Sequence, residues 1–144
     1  MIITPHIVTG MVIGKELGNP FLVSVLALSS HFVLDIIPHW QENRYPWTLT
    51  KKTYIRIFLD IVVSIFIISM VKSKIGLNPN IILGIFFSIL PDLSDLLLLK
   101  KKPIKNKLFN KIYEWHKDIQ NETPKMYGVV TQLVVVVLSL IIIF

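Results

Sequence analysis

The chain has 144 residues, of which 53% are hydrophobic and only 17% charged, and its net charge is +6. A mean hydropathy of +0.64, with a charge content below the roughly one quarter usual in soluble domains, points to one membrane-embedded domain over 1–144. There is no cysteine, which excludes disulfides and thiolate metal sites and leaves His, Asp and Glu as possible ligands.

Thr4-Pro5-His6 opens the first predicted helix, with Thr4 as N-cap, Pro5 at the first helical position and His6 in the first turn. No basic region precedes an apolar one here and no small-residue cleavage site follows, so a removable signal peptide is not expected. Gly10, Gly14 and Gly18 fall at four-residue spacing, a stripe that permits close helix packing. At about 14 residues this helix is short for a full span. It is expected to pack on its neighbour.

Asn19-Pro20 starts a second helix that runs to about Ile37, because Pro38 disfavours helix at the residue before it. Ser24, Ala27, His31 and Asp35 fall on one face. His31 and Asp35, four residues apart, sit side by side on a helix. His39 follows in a turn that can fold back toward them. Imidazole, carboxylate and imidazole converging at a helix end suit a divalent transition metal, zinc above all. The alternative is a polar helix terminus with a structural histidine, although polar groups in so apolar a run are costly when unpaired.

Residues 38–50 form a polar loop with Trp40, Tyr45 and Trp47 beside Arg44, an interfacial composition. The third helix is predicted from about Thr50 to Lys72. Its apolar run holds one acid, Asp60, which either supports the metal site from behind or pairs with Arg56 four residues earlier. Asn78-Pro79 opens a fourth helix as Asn19-Pro20 opens the second. This helix carries Pro91-Asp92-Leu93-Ser94-Asp95. Asp92 and Asp95 share a face and have three possible roles: metal ligand, hydrogen-bond partner that holds a ligand histidine in place, or general base. Pro91 should kink the helix and free a nearby carbonyl. The bland reading pairs these acids with Lys100, Lys101 and Lys102.

Residues 100–125 carry eight lysines, and Ile104, Leu108, Ile112, Trp115 and Ile119 repeat at helical spacing. This is a basic amphipathic helix suited to a membrane surface, with His116 at the edge of its apolar stripe. The segment from Tyr127 to Phe144 is nearly all Val, Leu and Ile, a transmembrane helix of about minimum length.

Short connections make consecutive helices antiparallel. His6, His31, Asp35, His39, Asp60, Asp92, Asp95 and His116 then all lie at one end of an all-α bundle of five to six helices. The 38–56 and 100–126 segments on that side hold twelve basic residues against two, Lys72 and Lys74, on the other. The positive-inside rule places the site at the cytoplasmic face of the membrane, in contact with lipid. The same distribution, lysines flanking apolar runs, argues against nucleic acid as partner.

Thr4-Pro5-His6, the His31-to-His39 run, Pro91-Asp92-Leu93-Ser94-Asp95 and Trp115-His116 together resemble a family of small membrane-bound metal-dependent hydrolases of bacteria, distantly similar to zinc-dependent phospholipase C. His31-Phe32-x-x-Asp35-x-x-Pro38-His39 is also similar to the H-F-x-x-D-x-x-x-P-x-H segment of zinc phospholipases and single-strand nucleases, two residues shorter. The resemblance implies a hydrolase whose metal, most simply zinc, is held by His31, Asp35 and His39 with some of His6, Asp92 and His116. Asp95 or Asp92 would act as proton acceptor on a phosphoester or lipid substrate. That set exceeds the four ligands one zinc needs, so either two ions bind or some residues support from behind. A non-catalytic membrane protein that binds a metal or handles protons through the same residues is the competing expectation.

Overall fold

Asparagine–proline pairs start two helices, as the sequence predicts. The Asn19 carboxamide accepts the Phe21 amide at 2.9 Å and Asn78 accepts the Ile81 amide at 2.8 Å, so each asparagine satisfies donors that a helix start leaves open. The computed structural model describes residues 1–40, 50–98 and 107–144, the side chains of 94–98, 109 and 113 excepted. Among the described residues there are six helices: α1 Ile3–Glu16, α2 Pro20–Ile36, α3 Lys51–Ile75, α4 Pro79–Leu98, α5 Lys107–Ile119 and α6 Lys125–Ile143. Thr50 caps α3, accepting the Thr53 amide at 3.2 Å. Gly76, at φ 77°, ends it in a conformation that L side chains rarely adopt.

Helix α1 is the centre of the bundle and touches α2, α3, α4 and α6. Its tightest partner is α4, and glycine is the reason. A Cβ at Gly10 would collide with the Gly84 carbonyl, one at Gly84 with the Gly10 carbonyl, and one at Gly14 with the Asn80 backbone. Two of the three glycines in the predicted stripe therefore face α4, while Gly18 lies beyond the helix end with open space around it. Rising numbers in α1 meet falling numbers in α4, so the two run antiparallel. Gln132 of α6 meets Ile2 and the Ile142 carbonyl meets Lys15, so α6 runs parallel to α1, as does α3 through Asp60 at Ile3. Ile7, Val8, Met11, Ile67, Val71, Ile81 and Ile143 fill the apolar core between them.

Two helices, α3 and α6, are long and apolar enough to cross a membrane. They are not buried core helices. Along α3, Phe58 and Phe66 are 64% and 68% exposed, and on α6 Ile141 is 67% exposed. Apolar surface on this scale calls for a partner or a lipid phase.

Two sequence expectations change. The predicted N-cap residue Thr4 lies inside α1, whose start is capped from α3, as described below. Ser24 is not part of the inward face of α2. It turns its hydroxyl back to the Pro20 carbonyl, and Val23 takes the buried position above Ala27.

Gly84→Leu is expected to separate α1 from α4 and to lower the thermal unfolding temperature sharply, an overpacking cost of about 1–3 kcal/mol or more. Gly18→Ala serves as control and should leave it unchanged. Equal effects of the two would contradict the close glycine contact.

Candidate metal centre

Asp35 lies at the middle of the polar end of the bundle, its side chain without solvent exposure. Oδ2 accepts from His116 Nε2 at 2.9 Å and lies 3.2 Å from His31 Nε2. Oδ1 faces the other way, toward the Met1 ammonium at 2.5 Å and His6 Nε2 at 3.5 Å. His31 and His116 bring their Nε2 atoms within 3.1 Å of each other, and Asp92 Oδ1 is 3.6 Å from His31 Nε2. His31, Asp35, Asp92 and His116 each offer one ligand atom, and these four atoms lie within 4.8 Å of one another.

The orientation of the rings makes this more than a polar cluster. His31 Nδ1–H donates to the Ser88 carbonyl at 2.7 Å, so a neutral His31 presents a lone pair at Nε2. The acceptor lies three residues before Pro91, inside α4. The His31 lone pair and the Asp35 oxygen point at one place and repel unless a proton, such as that on His116 Nε2, or a metal cation lies between them. A tetrahedral metal with bonds of 2.0–2.1 Å separates its ligand atoms by about 3.3–3.4 Å. The spacings of 2.9, 3.1, 3.2 and 3.6 Å bracket that value. The four groups could thus hold a metal ion. The side chain of Asp92 is 25% exposed while His31 and Asp35 are fully buried, so the centre is open to solvent on the Asp92 side.

The remaining sequence candidates fall around this group. His6 stacks on His31, ring centroids 4.1 Å apart. Its distance from Asp35 is within ion-pair range, yet neither of its ring nitrogens has a hydrogen-bond partner among the described residues. His39 donates Nδ1–H to the Ile37 carbonyl at 2.9 Å, leaving Nε2 buried and without a hydrogen-bond partner among the described residues. Asp95 is in α4, but its side chain lies outside the described residues, as do Arg44, Tyr45, Trp47, Lys100, Lys101 and Lys102.

Asp60 is put to a use the sequence reading did not foresee. Its carboxylate accepts the Ile3 amide at 2.7 Å, the Thr4 amide at 3.4 Å and the Thr4 hydroxyl at 2.5 Å. It caps α1 from α3 and so fixes the helix that presents His6. Arg56 lies over the Trp40 ring, 4.7 Å from its centroid.

Helix α6, read from the sequence only as a transmembrane helix, also bears on the site. Gln132 is buried. It accepts the Ile2 amide at 3.2 Å and donates to the Trp40 carbonyl at 3.1 Å and the Gly128 carbonyl at 3.0 Å. Gly128 allows the His39–Trp40 backbone to lie directly against α6, where any side chain would collide. The 121–123 segment completes the clamp: His39 donates to the Asn121 carbonyl, Thr123 to the His39 carbonyl, and Asn121 to the Asp35 carbonyl, at 3.0, 2.9 and 3.0 Å. A lone glutamine in an apolar run was the one signal available for this, since such a group needs partners.

No family model matches the chain, and neither a curated protein nor a solved structure is similar to it at a significant level. The centre is therefore interpreted from its own geometry.

Burial, with the nearby Met1 ammonium next, pushes the His39 imidazole down to about 4 from an ordinary 6.5. Its folded form resists the proton that the unfolded chain accepts, so its contribution to stability is complete above pH 6.5 and declines as the pH falls toward 4. Acid unfolding curves should show wild type losing stability through this window and His39→Gln losing less. Identical curves would contradict a buried neutral His39. Asp60→Ala should cost about 1–3 kcal/mol by orphaning the α1 amides, read as a lowered denaturation midpoint. A neutral result would contradict the cross-helix cap.

Proposed function

We propose that this protein is a membrane-embedded metal-dependent hydrolase acting on a phosphoester carried by a lipid or presented at a lipid boundary. The observation that carries the reading is the convergence of His31, Asp35, Asp92 and His116, from three helices distant in sequence, on one buried point. Zinc is the metal we favour, from the imidazole–carboxylate donor set. Bound metal would supply hydroxide near neutral pH by acidifying a coordinated water.

The chain's own residues do the rest. His31 is held in one tautomer by Ser88, so its Nε2 stays available to a cation. Asp35 balances the charge gathered around it. Asp92, the partly exposed member, lies where a substrate and its water enter, placed to take or return a proton. A membrane setting is supported by the exposed apolar faces of α3 and α6. Helix α5 adds to this, with Leu108, Ile112 and Trp115 at least half exposed beside Lys107 and Lys111. The excess of lysine and arginine at this end favours the cytoplasmic leaflet and anionic headgroups.

One observation favours a second reading. Four protein ligands saturate a single zinc, which is the pattern of a structural site. A non-catalytic metal-binding membrane protein would have that property.

Hydrolysis of phosphomonoester, phosphodiester and phospholipid substrates in mixed micelles with added zinc or manganese separates the two. Activity that falls at least ~100-fold in His31→Ala and Asp92→Asn, both still helical by circular dichroism, is the expected result. Metal bound without hydrolysis of any of these substrates would favour the structural reading. Activity untouched by both substitutions would reject this site.

A further inference from the structure

We infer that the lipid surface controls the centre through α5: an anionic bilayer receives the Leu108, Ile112 and Trp115 side of this helix, and that seating holds His116 on Asp35. The seating stands apart from the metal reading, whereas its effect on the centre rests on it.

Helix α5 joins two surroundings within two adjacent residues. Trp115 is half exposed, while His116 is buried with Nε2 at 2.9 Å from Asp35 Oδ2. The contacts that carry α5 to the centre lie in its last turns and just beyond. Trp115 packs on Phe32, ring centroids 5.0 Å apart, and the Phe32 ring meets those of His31 and His116 edge-on, each at 5.4 Å. Asn121 donates to the Asp35 carbonyl at 3.0 Å. Among the helices, α5 packs chiefly on α2. An element that buries little apolar surface opens at low cost. Whatever lies against its outer side therefore bears on how firmly His116 is held.

Away from this attachment the helix becomes more exposed, reaching 66% at Leu108. Charge is graded in the same direction. Lys107 and Lys111 are exposed at the far end, and the acids Glu114 and Asp118 lie toward the attached end, Glu114 paired with Lys117 at 2.9 Å. Apolar side chains bordered by lysines suit an anionic bilayer surface. Position favours lipid over a protein as the occupant: α5 ends at Ile119, and α6, long and apolar enough to cross a membrane, begins at Lys125. Lipid that binds only the seated helix stabilises it by mass action, and the His116–Asp35 contact with it.

The full chain in lipid nanodiscs tests this. There is no native cysteine, so Leu108→Cys takes a single nitroxide label. In discs containing phosphatidylglycerol, the label should be reached by oxygen dissolved in the lipid and not by a water-soluble nickel chelate. Lys107→Gln and Lys111→Gln should each lower the ratio of seated to unseated helix roughly 5-fold. Zinc affinity, read by competition with a chelator, should be about 10-fold tighter with phosphatidylglycerol than in phosphatidylcholine alone. That difference should vanish in His116→Ala, which meets the same lipid charge, and Leu108→Glu, outside the candidate ligands, should weaken zinc binding by a similar factor. A label reached by the nickel chelate in both discs would overturn the seating. A label reached by neither probe would mark a protein neighbour, a second copy included, and overturn lipid as the occupant. A lipid-facing label with equal zinc affinity in both discs would overturn the control of the centre. No zinc bound in either disc would overturn the metal reading and that control together, and the label would still decide the seating.

Discussion

A carboxylate without solvent access is the constraint that the rest of the molecule answers to. Burying Asp35 in an apolar helical bundle is prohibitive unless positive or proton-donating groups surround it. The chain supplies four such groups: Met1 and His6 at the start of α1, His31 one turn before Asp35 on α2, and His116 from α5. Each of these needs its own support. His31 is oriented by Ser88, the start of α1 by Asp60, and α1 itself can reach α4 only because Gly10, Gly14 and Gly84 carry no side chain. The site and the helix packing share α4, which packs on α1 through these glycines and carries Ser88 and Asp92.

The bundle divides accordingly. The core from Ile7 to Val71 and Ile143 is apolar and provides packing. The opposite end gathers buried titratable groups. Such a division would suit the proposed centre at a lipid boundary. Helix α5 presents its apolar stripe outward while its His116 turns inward, so one short helix connects the exposed surface with the centre.

Much of this was legible in the sequence. Asn19-Pro20, Asn78-Pro79 and Pro38 mark helix limits through local chemistry that needs no tertiary context. The alternation of helix direction gathers His6, His31, Asp35 and Asp92 at one end by topology alone. What the sequence did not disclose depends on which distant groups touch. Asp60 reads as a partner for Arg56 one turn away, because local spacing cannot reveal that α1 presents open amides to it. His116 is a candidate ligand by resemblance, but the amphipathic pattern of its helix equally allows an interfacial residue, and only the fold shows it 2% exposed and turned to Asp35. Gln132 and Gly128 are single polar and small residues in an apolar run, and their role exists only once His39 and Trp40 lie against them.

The central claim is that a cation belongs between Asp35, His31 and His116. Crystals of zinc-loaded protein, with diffraction recorded on both sides of the zinc absorption edge, examine it most directly. The account predicts an anomalous peak within about 2.0–2.2 Å of Asp35 Oδ2 and of the Nε2 atoms of His31 and His116. Zinc-replete crystals with no anomalous density there, and with His116 still bonded directly to Asp35, would contradict it.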